Sequence, residues 1–141
     1  MEFSACVVVI GVLTSTLLPR ISEWQQQARA IQLANAIVAL NRAVVIFQAE
    51  CSRSAGPCDQ LVINGRTIAG ANGQAAATPD GIARLAELPA DTQFHEHWVD
   101  GVPALTMSLP SRGIPPCEFT YVQAPRSGSA PVIHRPLASC P

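Results

Sequence analysis

From Phe3 to Leu18 the sequence FSACVVVIGVLTSTLL runs without a charged residue. As a helix this stretch covers about 24 Å, short of the roughly 20 residues that a bilayer core of about 30 Å takes. Beyond Pro19 the pattern changes. Between Ile21 and Cys51 there is no Gly or Pro, and Ile21, Trp24, Ala28, Ile31, Ala34 and Val38 recur at steps of three and four. Leu40, Val44 and Phe47 continue the stripe, while Glu23, Gln25, Gln26, Arg29, Asn35 and Arg42 fall on the other face. That periodicity predicts an amphipathic helix. Proline inside a helix removes one hydrogen bond and kinks it, a defect that a membrane or a bundle tolerates. Residues 2 to about 50 therefore read as one long kinked helix, with an apolar half over 1–20 and an amphipathic half over 21–51.

The rest of the chain, 52–141, reads as a globular head. LVINGRTIAGANGQ predicts a short strand or hairpin about Asn64-Gly65, followed by a small-residue loop. Thr78 and Pro79 open a short helix, GIARLAEL, as cap and first residue. The segments QFHEHWV, ALTMSL, CEFTYVQA and PVIHRPL are separated by Asp-Gly, Pro-Ser-Arg-Gly and Arg-Ser-Gly-Ser turns, which indicates a small antiparallel sheet. Such a sheet needs a cover for its apolar face, and the amphipathic half of the helix supplies one. The predicted class is α+β, a long N-terminal helix packed on a small antiparallel head. Trp24 and Trp98 are read as packing residues of helix and strand.

Composition narrows the function. Hydrophobic residues make up 48% and charged residues 13%, so the chain is too apolar for long-range disorder and suggests contact with lipid or a partner. Nine Arg, no Lys and a net charge of −1 exclude the dense basic stripe that a phosphate backbone demands, and no specific nucleic acid is expected. A cleaved secretory signal wants a positive leader, whereas Met1-Glu2 supplies acid. No G-x-S-x-G, H-E-x-x-H, Walker or G-x-G-x-x-G motif occurs, so no catalytic residue, cofactor or enzyme activity is assigned.

Four cysteines outside the apolar span, Cys51, Cys58, Cys117 and Cys140, form an even set that an exported compartment oxidises, with three connectivities open. Pairing Cys51 with Cys58 and Cys117 with Cys140 is favoured because each closes locally, the second tying down the tail. No zinc-type spacing is present. His95, Glu96 and His97 invite a metal reading, since alternate strand residues share a face and His134 could join from a neighbouring strand. No further carboxylate or cysteine is spaced to complete a shell, and no metal is assigned.

The N-terminal third resembles the type IV pilins and the related pseudopilins of type II secretion. Members of that family begin, after a short basic leader ending in Gly, with Phe-Thr-Leu-Ile-Glu-Leu and a run of Val, Ile and Gly closing in Ala-Leu-Pro-Arg or similar. With Pro19 set on the family proline, Gly11 falls on the helix glycine, Glu2 on the glutamate and Phe3 on the apolar residue after it. LLPRISEWQQQARAIQLANAIVALNRAVVIFQAEC is similar to pilins of the mannose-sensitive haemagglutinin type. On this alignment Met1 stands just before the family glutamate, and the chain is expected to lack the leader and the first three mature residues.

The resemblance implies an assembly role for Glu2, Gly11 and Pro19. A carboxylate in a bilayer costs several kcal/mol unless paired. In the family it attracts the N-terminal amine of a neighbouring subunit and sets the register of the incoming helix. The implied partners are other subunits in a helical filament, the bacterial inner membrane before assembly, and the pilus or secretion machinery. The implied product is an extracellular pilus or a periplasmic pseudopilus, and the C-terminal cysteine pair favours the pilin. A membrane-anchored periplasmic ligand-binding module is the alternative from another class, with a pocket expected under the sheet.

Overall fold

Glu2 to Arg53 form one helix, α1, without interruption at Gly11 or Pro19. The computed structural model describes residues 2–110 and 116–135, with side chains described at Ile21 and from Trp24 onward. Ala36, Leu40, Ala43 and Phe47, spaced by four, three and four, are the residues of α1 that enter the core of the head. This is the one-sided stripe of a helix lying on a packed layer. Its C-terminus closes where Ser54 N–H donates to the carbonyls of Glu50 and Cys51, with Gly56-Pro57 just beyond.

The predicted hairpin is present. β1 (Gln60–Ile63) and β2 (Arg66–Ala71) are antiparallel, and Asn64 and Gly65 both take positive φ, 50° and 74°, as a two-residue turn matching strand twist requires. The loop expected after β2 is instead a second tight hairpin. Asn72 and Gly73 turn with φ 54° and 79°, and β3 (Gln74–Ala75) pairs back on β2.

Thr78 caps the next element as expected, its Oγ1 accepting from Gly81 N–H at 3.0 Å, with Pro79 at the first position. The helix is shorter than predicted. A kinked turn, Pro79–Ala83, runs into α2 (Arg84–Ala86), and Glu87 ends it in the left-handed region. Gly81 makes the kink: it leaves helical geometry at φ −94°, ψ −108°, and a Cβ there would stand 2.3 Å from the Ala76 carbonyl oxygen. The chain trades regular helix for close packing on the β2–β3 hairpin.

The second sheet runs β4 (Gln93–Val99), β5 (Val102–Leu109), β6 (Cys117–Val122) and β7 (Val132–His134), all antiparallel and in sequence order. Asp100-Gly101 makes the β4–β5 turn with φ 50° and 78°. The Pro-Ser-Arg-Gly turn falls largely on 111–115, outside the described residues. Leu105, Met107, Phe119 and Tyr121 project from one face and join Leu40 and Phe47 of α1 in a single core. Three hydrogen bonds fasten this sheet to the hairpin unit: Tyr121 Oη to Ala75 O at 2.8 Å, Ala77 N to Gln123 Oε1 at 3.2 Å, and Asn72 Nδ2 to Ala124 O at 2.9 Å. Burial pushes the Tyr121 phenol above its ordinary ionisation range.

The α+β class is therefore observed, with a difference in which side of α1 covers the sheet. Leu40, Val44 and Phe47 lie in or against the core as expected, whereas Ile21, Trp24, Ala28, Ile31, Ala34 and Val38 are exposed. The earlier turns of α1 precede the head, and Val38 points away from it. Trp24 and Trp98 are 67% and 70% exposed, so neither packs in the core as predicted. Trp98 stands on the edge strand β4, on the uncovered margin of the sheet.

Candidate assembly surface

At 100° per residue, the stripe Ala36, Leu40, Ala43, Phe47 and the set Trp24, Ile31, Val38, Val45 point about 160° apart around α1. The first is buried in the head. The second is 59 to 67% exposed at every rung. Its members recur at every seventh residue, so they form a ladder with rungs about 10.5 Å apart, filling one of the two positions that a helix–helix seam uses in each heptad. Positions three residues after each rung are Gln27, Ala34, Asn41 and Gln48, small or polar. Asn41 Nδ2 is turned back on its own helix, donating to Ile37 O at 2.9 Å.

A helix apolar on opposite sides is normally enclosed by protein or lipid. Within Trp24–Arg53 an 18-residue window is apolar enough, by length and composition, to cross a bilayer, and 33% of it is buried in the head. The covered part is the head-packing stripe, and the ladder is what remains. One charge falls within the ladder: from Trp24 to Ala49 the only ionised side chains are Arg29, on the other side of the helix, and Arg42, which shares the face of Val38 and Val45 four residues after the first and three before the second.

The head end of α1 is clamped covalently. Cys51 and Cys58 form a disulfide, Cα–Cα 5.6 Å, as the local-closure argument expected. Cys117 is also disulfide-bonded, while Cys140 lies outside the described residues. Glu2, Gly11 and Pro19 are all helical, and their side chains lie outside those described.

The histidines divide. His95 and His97 share one face of β4, but β7, which carries His134, is three strands away, about 14 Å. His134 therefore does not join them. Among the described residues no group of three or more His, Cys, Asp or Glu side chains is placed to hold a metal ion. Under the sheet, where the ligand-binding alternative expected a pocket, the space is filled by Leu40, Phe47, Leu105, Met107 and Tyr121, each fully buried.

Comparison with protein-family models, with curated proteins and with solved structures finds no match. A long N-terminal helix on an antiparallel sheet is compatible with a pilin-like architecture. Sequence reasoning missed Val45 and Ile46 on the outward face, and the close approaches at Gly70 and Gly81. The ladder had a legible signal, a strict interval of seven. The glycines had none, because a contact across the fold leaves no trace in local sequence.

Proposed function

We propose that this protein is a structural subunit of a type IV pilus-like filament, assembling through its N-terminal helix. The observation that carries the reading is the second apolar face of α1, Trp24, Ile31, Val38 and Val45, opposite the side bound by the head. A soluble anchor needs no such ladder, whereas a helix packed among copies of itself does. Copies related by a screw operation make a heterologous contact that does not close, the condition for a fibre. Before assembly the apolar N-terminal half sits in the bacterial inner membrane; afterwards protein replaces lipid around it, in an extracellular pilus or a periplasmic pseudopilus. Glu2, on the motif resemblance, is the register-setting carboxylate, with Gly11 and Pro19 as the points where the helix yields.

The test introduces Ile31→Asp and Val38→Asp, singly, into the full chain. An unpaired carboxylate in a dry helix seam costs several kcal/mol, so filaments seen by negative-stain electron microscopy after detergent removal are expected to disappear. Near-ultraviolet circular dichroism of the head is expected to stay unchanged, since neither side chain enters the core. Filaments formed by both variants as readily as by the parent chain would sink the reading. A parent chain that stays monomeric when detergent is removed would favour the anchored binding module.

A further inference from the structure

The polar face of the second sheet carries a pair of side chains that the assembly reading does not use. In β4 the odd positions Gln93, His95 and His97 are paired in register with Ser108, Thr106 and Ala104. They therefore lie on the side opposite Leu105 and Met107, away from the core and α1. The two imidazoles are stacked, with ring centres 5.8 Å apart and planes 14° from parallel. His95 is exposed and His97 half-buried, so both rings are reachable from solvent. The Nδ1 atom of His97 stands 3.4 Å from the His95 carbonyl oxygen, so in the tautomer that donates there Nε2 is the nitrogen left to bind a metal ion.

We infer that His95 and His97 form a two-imidazole surface site for a divalent transition-metal ion. Zinc sits about 2.0 to 2.1 Å from a histidine nitrogen, so two rings around one ion can have centres up to about 6.4 Å apart. Tetrahedral or right-angle bonding puts the centres about 4.5 to 5.2 Å apart, so side-chain rotation must close the observed 5.8 Å and tilt the two nearly parallel rings toward a shared ion. The field around the pair suits a cation. Strands β4, β5 and β6 contain no Arg, and their two charged residues, Glu96 and Glu118, are both acidic. Glu118 is on the same face as the histidines, held by Ser108 Oγ at 2.9 Å, while Glu96 is on the other. Thr106, beside His95, has its hydroxyl engaged with Thr120 at 2.7 Å, so water completes the ion's shell. Two imidazoles with open positions favour copper(II) over zinc, following the general order of divalent affinities. The site is independent of the filament reading, because it lies on the face of the sheet turned away from α1.

Isothermal titration of the untagged full chain in detergent, with copper(II) chloride and separately zinc chloride, tests this. The expected result is one ion per chain, with copper the tighter. Replacing either ligand, His95→Gln or His97→Gln, removes the intramolecular second contact and is expected to weaken binding about a hundredfold. His134→Gln is expected to leave it unchanged. Electron paramagnetic resonance of the copper form is expected to show two equatorial nitrogens, falling to one in each single variant, a readout that separates ligand loss from misfolding. The inference is overturned if the His95→Gln/His97→Gln double variant binds copper as tightly as the parent chain. It is also overturned if His134→Gln carries the loss.

Discussion

Of the described glycines, Gly70, in β2, leaves the least room, at a point where three elements meet. A Cβ built there would stand 2.0 Å from the Cys58 carbonyl oxygen and 2.5 Å from the Phe47 ring. The first distance is about 1.4 Å short of the 3.4 Å at which ordinary contact begins. The ring can turn aside, but the carbonyl cannot. Cys58 is tied to α1 by its disulfide, and Gly70 N–H donates to Asp59 O at 2.8 Å. Gly70→Ala must therefore push the β1–β2 hairpin off the end of α1. Overpacking of this kind costs about 1 to 3 kcal/mol, and the strained hydrogen bond adds about 1 kcal/mol. For a head of this size that lowers Tm by about 10 to 25 °C, measured by near-ultraviolet circular dichroism of the full chain in detergent. Two further measurements locate the strain. Adding Phe47→Leu is expected to bring no rescue, because the obstruction is backbone, whereas reducing the Cys51–Cys58 bond is expected to narrow the gap between variant and parent by freeing the Cys58 carbonyl. A Gly70→Ala chain melting within about 2 °C of the parent would refute the packing argument.

Other consequences follow from the same core. Tyr121→Phe removes the buried bond to the Ala75 carbonyl and is expected to cost about 1 to 2 kcal/mol in chemical denaturation. Tyr121 is the chain's one tyrosine, and burial raises its folded-state ionisation above the unfolded value of about 10. The neutral phenol thus contributes stability that is fully present below about pH 10 and is lost as pH rises beyond it, because only the unfolded chain ionises readily. Absorbance at alkaline pH is expected to show phenolate only as the head unfolds, and a tyrosine titrating near pH 10 in the folded chain would contradict its burial. Cys51→Ser with Cys58→Ser opens a loop with a sequence separation of 7 and is expected to cost about 2 kcal/mol, read as a lower denaturation midpoint.

Much of this architecture was legible because it rests on local rules. Asn64-Gly65 and Asp100-Gly101 specify their turns through positive φ, Thr78-Pro79 specifies a helix start, and alternation in QFHEHWV and CEFTYV specifies strands. What was not legible depends on which surfaces meet. Steps of three and four along α1 mark two stripes at once, and only the docked head shows that Ala36, Leu40, Ala43 and Phe47 face inward while Trp24, Ile31, Val38 and Val45 do not. Residue type and strand alternation alone let His134 join His95 and His97 from a neighbouring strand, but the sheet order puts two strands between them. The misreading of α1 has a physical cause that bears on function. A helix whose single job is to cover a sheet needs one apolar face, and its other face is then free to be polar. Here the face opposite the head is apolar at four successive sevenths, including Trp24, whose indole gains nothing from water. Leaving those four side chains wet forgoes about 1.5 to 3 kcal/mol each for the larger ones, comparable in sum to the whole stability of a small head. That cost is recovered only when a second surface covers the ladder, so the folded head and the covered helix are two separate equilibria, and Val38→Asp should disturb only the second.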